Sequence, residues 1–138
     1  MAETPYWDFH RFGIERRRAE TIVRACGRAA RLEEAAGMPF PEARRRLTAI
    51  EGVGVWTAAE VARTALGDPD AVSVGDFHTK HVVAWALARE PRGTDERMLE
   101  LLEPYRGQRG RAVRLLEAGD IRPPRYGPRQ RLRSIAKL

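Results

Sequence analysis

Two features of this chain could do chemistry, and they lie one helical stretch apart. The first is Gly-Val-Gly at 52–54, set between two helical patterns within Leu-Thr-Ala-Ile-Glu-Gly-Val-Gly-Val-Trp-Thr-Ala. The second is Asp76, in Val-Ser-Val-Gly-Asp-Phe-His, which opens the next helical pattern. Glycine permits positive φ, and without a Cβ it lets another backbone come close. The amides around Gly54 and the helix beginning at Val55 would then present partial positive charge, a geometry suited to a phosphate. Contact through the main chain alone reads no base sequence. A second reading stays open, because Gly-Val-Gly is also an ordinary tight connection between helices. Asp76 at a helix start is favoured as an anion by the helix dipole. It is placed to act on whatever the bound backbone presents, and it is equally suited to a plain N-cap role.

These residues need helices around them, and the pattern supplies them. Apolar positions Ile14, Ile22, Val23, Cys26 and Ala29 follow helical spacing from Ile14 to about Ala30, although Gly27 weakens that stretch. Leu32–Ala36 reads as one further turn, stopped by Gly37 and the Pro39/Pro41 pair. Pro41 suits the first residue of a helix reaching about Ala49. After the glycine pair, a helix from about Val55 to Leu66 turns Ala58, Ala59, Val61, Ala62 and Ala65 inward. Gly67-Asp-Pro-Asp is a turn and Ala71–Val74 is extended, and a helix then runs from Gly75-Asp76 to about Ala88. Thr94 is a suitable N-cap for Asp95–Glu103, and Arg109–Ala118 forms a last helix stopped by Gly119. No strand pair and no internal repeat is evident. The fold class is all-α, a multi-helix bundle.

The length of 138 residues fits one ordinary domain, with 43% hydrophobic and 32% charged residues. No apolar run is long enough to span a membrane, and the N-terminus has no signal-peptide pattern. Cys26 is the single cysteine, which excludes an internal disulfide, a cysteine-rich zinc site and a four-cysteine iron–sulfur cluster. A cytoplasmic, nucleoid-associated setting follows as an expectation. The net charge of +6 is concentrated at one end: residues 106–138 hold ten Lys/Arg against Glu117 and Asp120. Such a segment suits a polyanion partner or simply a solvated tail. Residues 120–138 read as a basic C-terminal tail following a domain at 1–119.

The twelve residues from Leu47 to Ala58 resemble the helix–hairpin–helix element of the helix–hairpin–helix/Gly-Pro-Asp superfamily of DNA glycosylases. Trp56 after the hairpin resembles the 3-methyladenine DNA glycosylase II, or alkylbase glycosylase, branch. In that family a catalytic aspartate follows the hairpin by about one helix and a loop, and Asp76 matches that position. The run from Arg106 to Leu116, after Pro104-Tyr105, is similar to the family's late helix. The resemblance covers residues 6 to about 118. It implies monofunctional hydrolysis of the N-glycosidic bond of alkylated purines in double-stranded DNA. Asp76 would stabilise oxocarbenium character on the sugar and orient the attacking water. Gly52, Val53, Gly54, Val55 and Thr57 would hold the DNA backbone.

Bifunctional members of that superfamily carry a Schiff-base lysine where this chain has Trp56, which cannot form an imine. Trp56 is instead the family-matched face for a cationic base, with Tyr6, Trp7 and Phe77 as secondary candidates expected mainly in the core. His78 and His81 read as surface residues. The resemblance also implies an alkali cation, Na+ or K+, on the main-chain carbonyls of Thr48, Ile50 and Val53. No other cofactor is expected. The family's domain normally begins earlier, so the chain reads as a C-terminal portion lacking the N-terminal helices. An apolar face left open there would favour self-association. The competing readings are a non-enzymatic, sequence-independent DNA-binding module or an inactive fragment.

Overall fold

The computed structural model describes residues 1–124 and is all-helical, with no strand among the described residues. Residues 125–138, most of the basic tail, lie outside that range. The chain divides at Gly54/Val55 into two compact units.

In the first unit, a 3-10 segment at Tyr6–Phe12 precedes α1 (Arg16–Cys26), α2 (Ala29–Glu33) and α3 (Phe40–Thr48). The helix expected from Ile14 to Ala30 is therefore two, and the break falls at Gly27–Arg28. Gly27 itself keeps helical φ −66° and ψ −13°, and the chain leaves the helix at Arg28 with φ −118° and ψ 21°. The low helix propensity of glycine makes a break there cost little. The extra turn expected at 32–36 appears as a 3-10 segment at Glu34–Gly37. Pro41 occupies the first turn of α3, where its missing N–H costs nothing. Phe9, Ala19, Ala35, Ala43, Leu47 and Ile50 are buried. The small alanines allow the short helices to approach closely.

The second unit holds α4 (Val55–Ala65), α5 (Thr79–Ala88), α6 (Asp95–Leu102) and α7 (Arg109–Ala118). Its core is Val83, Met98, Leu102 and Val113, flanked by Val72, Val74, Leu87, Leu101, Ala112 and Leu116. Thr94 caps α6 as its sequence implies, with Oγ1 accepting the Arg97 amide at 3.2 Å. On α4, Ala58, Ala59 and Ala62 face inward, while Ala65 at its end is exposed.

Asp70 fixes α7 to this unit. Its Oδ1 accepts the amides of Gly107 at 2.9 Å and Arg109 at 3.0 Å, and the Arg109 guanidinium grips both carboxylate oxygens. The backbone of α7 then presses on the 69–71 loop at Gly110, where a Cβ would lie 2.5 Å from the Ala71 carbonyl oxygen. The Arg109 guanidinium is the main reason the Asp70 carboxyl sits at about 2, below its ordinary 3.8.

A carboxylate whose value is depressed in the folded state stabilises above its unfolded value, and that stabilisation is lost as pH falls through the folded one. Asp70→Asn should therefore cost about 2 kcal/mol in urea denaturation at neutral pH. The gap between variant and wild type should close as pH falls toward about 2. A gap that does not change with pH would contradict the pairing.

Candidate functional site

Asp76 is built into the second unit by bonds on both carboxylate oxygens. Oδ1 accepts the backbone amides of His78 at 2.7 Å and Thr79 at 2.8 Å. Oδ2 accepts the indole Nε1–H of Trp56 at 3.0 Å. The helix expected to open at Gly75-Asp76 thus begins at Thr79, and Asp76 stands just ahead of it with its side chain folded over the first amides. This local bonding is typical of aspartate at a helix entrance. The Trp56 contact is different in kind, because it ties the first turn of α4 to the entrance of α5.

Partial burial pushes the Asp76 carboxyl upward, but the Thr79 and His78 amides and the Trp56 indole together outweigh it. The result lies below the ordinary carboxylate value, so Asp76 is an anion at neutral pH. An ionised carboxylate has about four acceptor positions; three take these bonds, and the Thr79 hydroxyl also acts on the group to lower its value.

Trp56, which donates to this anion, is exposed, and so is Phe77, the residue that follows Asp76 along the chain. Trp56 is 44% exposed and Phe77 is 72% exposed. Phe77 does not lie in the core as its residue type suggests, because it sits in the turn where Asp76 folds back over the amides. Its ring meets His78 edge-on at 5.0 Å between centroids. Trp7 is likewise outside the core, since only Phe9 of the 3-10 segment turns inward. Tyr6 is half-buried, with its ring edge-on to Trp7 at 5.2 Å. His78 is exposed, as expected. His81 is half-buried and accepts the Gly93 amide on Nδ1 at 3.1 Å, and burial followed by the Lys80 charge lowers its basicity. It holds a loop and is not a surface group.

A polar network behind Asp76 escaped the sequence reading. The Thr79 hydroxyl donates to Glu117 Oε1 at 3.3 Å, and Arg63 Nη1 donates to Glu117 Oε2 at 3.2 Å. Arg63 Nη2 also reaches Glu60 at 2.8 Å, and Ser73 Oγ donates to Glu60. The Ser73 carbonyl in turn accepts the Asp76 amide at 3.1 Å. The chain of bonds starts at the Asp76 amide and comes back to its carboxylate side at Thr79. Only the Glu60/Arg63 spacing on α4 hinted at it.

The glycine pair lies at the end of the first unit, where its two members differ. Gly52 has φ +93°, and a Cβ there would fall 2.1 Å from Thr21 Oγ1 on α1. The turn is also held by Val53 N–H to the Ile50 carbonyl at 2.9 Å and by Arg24 to the Glu51 carbonyl at 2.7 Å. Gly54 has ordinary φ, and a Cβ there would meet nothing within 4 Å. In the second unit, Val55 is 72% exposed and Thr57 is half-buried. Among the described residues, no three His, Cys, Asp or Glu side chains form a group that could hold a metal ion. No described helix is long and apolar enough to cross a membrane.

Gly52→Ala should destabilise by about 1–3 kcal/mol in chemical denaturation, from strain at positive φ and collision with Thr21. Gly54→Ala should shift stability by no more than about 0.5 kcal/mol. Equal costs at the two positions would contradict the division.

No family model matches the chain, and no solved structure matches it. It is similar to proteins named "Probable bifunctional transcriptional activator/DNA repair enzyme AlkA" from two strains of Mycobacterium tuberculosis, CDC 1551/Oshkosh and H37Rv. The identity is 49% over 42 residues, which is 30% of this chain and 8% of each relative. The similarity is thus to a DNA repair enzyme, over a short segment.

Proposed function

We propose that this chain acts in base-excision repair of double-stranded DNA as a monofunctional glycosylase. Its reaction would be hydrolysis of the N-glycosidic bond of alkylated purines of the 3-methyladenine and 7-methylguanine type. The observation that carries this reading is an ionised Asp76 held at 3.0 Å by the indole of an exposed Trp56. The short similarity to a DNA repair enzyme supports the same direction.

An alkylated purine carries positive charge and leaves readily, so it needs a place to stack and an anion beside the sugar more than a strong acid. Trp56 and Phe77 offer π-faces for the cationic base. Asp76 offers fixed negative charge to the developing oxocarbenium ion and would orient the attacking water. The indole of Trp56 cannot form an imine, and Lys80, the lysine among the described residues, has its Nζ facing Asp95 at 3.7 Å. The open surface at Gly54 suits close approach of a DNA backbone.

An Na+ or K+ ion on the carbonyls of Thr48, Ile50 and Val53 belongs to this proposal. The Ile50 oxygen accepts one amide and keeps a second lone pair, and Thr48 is the last residue of α3, where helix carbonyls run out of amide partners. Such neutral oxygen donors suit a hard cation, which would neutralise a phosphate.

A second reading is a DNA-binding module without catalysis. It is favoured by the fact that the two amide bonds of Asp76 also serve simply to cap α5.

The two readings separate when alkylated duplex is incubated with wild type, Asp76→Asn and Gly54→Leu. Asp76→Asn should lose base release by at least about a hundredfold while binding duplex within a few-fold of wild type. Asp76 is held below its ordinary carboxylate value, so on acidification release by wild type should be lost at a lower pH than an unperturbed aspartate would give. Gly54→Leu should bind any duplex more weakly. Equal release from wild type and Asp76→Asn, or none from either, contradicts the enzyme reading.

A further inference from the structure

The first unit carries a basic feature that the proposed reaction leaves unused. Arg28 between α1 and α2, Arg31 on α2 and Arg46 on α3 line one open cavity of about 380 Å3, together with Leu32, Ala49 and Ile50. Three guanidinium groups around one cavity repel each other unless anions offset them. Only Arg46 has such an offset. Its Nη1 donates to the Glu34 carboxylate and to the Arg31 carbonyl at 3.1 Å. The Arg28 and Arg31 side chains have no hydrogen-bond or ion-pair partner among the described residues. Glu34 is itself loosely held, with its side chain 60% exposed against 22% for Arg46.

We propose that this cavity is a second backbone site, taking a phosphodiester of a nucleic-acid strand, with Glu34 as its internal competitor. Guanidinium forks match phosphate oxygens with paired hydrogen bonds, and arginine is weakly enough hydrated to exchange water for them. The apolar residues Leu32, Ala49 and Ile50 suit the carbons of the adjoining sugar. Ile50 also links the cavity to the glycine turn, because its carbonyl closes that turn with Val53. A strand whose phosphate enters the cavity displaces Glu34 from Arg46, so the site is strongest where the carboxylate is absent. The inference rests on the reading of this chain as a DNA-binding protein, but not on catalysis by Asp76.

The test is fluorescence anisotropy of the full chain with lesion-free duplex across a range of salt. Lesion-free DNA keeps the result independent of base release. Arg28→Ala/Arg31→Ala should weaken binding by about tenfold at low salt and flatten the dependence of log affinity on log salt by about one to two. Arg17→Ala/Arg114→Ala removes the same charge outside the cavity and should have a clearly smaller effect. Glu34→Gln should bind several-fold more tightly than wild type, a gain that a partly unfolded variant cannot give. Inorganic phosphate should compete only weakly, since the proposed ligand is the polymer backbone. Equal losses in both arginine pairs, or no gain in Glu34→Gln, would overturn the proposal. So would tight binding of inorganic phosphate without any effect on duplex.

Discussion

The indole–carboxylate bond between Trp56 and Asp76 is the constraint on which the second unit's candidate site depends. A partly buried carboxylate is costly unless its lone pairs are met, and here the donors come from two different helices. The amides at the entrance of α5 fix Oδ1, and the first turn of α4 supplies the indole for Oδ2. The same three donors hold the group ionised and orient it. Behind them, Thr79, Glu117, Arg63, Glu60 and Ser73 join α4, α5 and α7 into one polar framework. Arg63 Nε is buried without a partner among the described residues, so the framework is one bond short of full satisfaction. An unmet donor of this kind is expensive to keep inside a protein, which argues that the Arg63 position is constrained by its two carboxylates.

The glycine pair shows how one motif can serve two physical ends. Gly52 is required by its own fold, because its φ and the nearness of Thr21 leave no room for a side chain. Gly54 has no such requirement. Its bareness would matter only if another backbone came close, as the proposed function requires. The ordinary tight-turn reading accounts for Gly52, while a role for Gly54 rests on the proposed function.

Much of this architecture was legible in the residues. Arg109–Ala118 and the Thr94 cap appear where the sequence puts them, because caps and helical periodicity are local signals. Trp56 and Asp76 were each legible as candidate site residues from a spacing of one helix and a loop, but the bond between them was not. What the sequence hid depends on distant partners. Asp70 and Arg109 are 39 residues apart, and Glu117 meets Arg63 across 54. Neither pair leaves a periodic trace. Phe77 and Trp7 misled in another way: aromatic character signals apolar area, but the turn geometry around Asp76 and the single inward position of the 3-10 segment decide what is buried. The cavity arginines were equally invisible, since Arg28, Arg31 and Arg46 converge only through the packing of short helices.

The central claim is that the Trp56 indole acts through the Asp76 carboxylate, and a double-substitution cycle measures this most directly. Single-turnover base release from alkylated duplex would be followed for wild type, Trp56→Phe, Asp76→Asn and the double variant. Phenylalanine keeps an aromatic face and removes only the N–H donor. The account predicts that Trp56→Phe slows release in the wild-type background and has almost no further effect once Asp76 is Asn. Rate losses that simply multiply would contradict it, because Trp56 would then be acting independently of the carboxylate it holds.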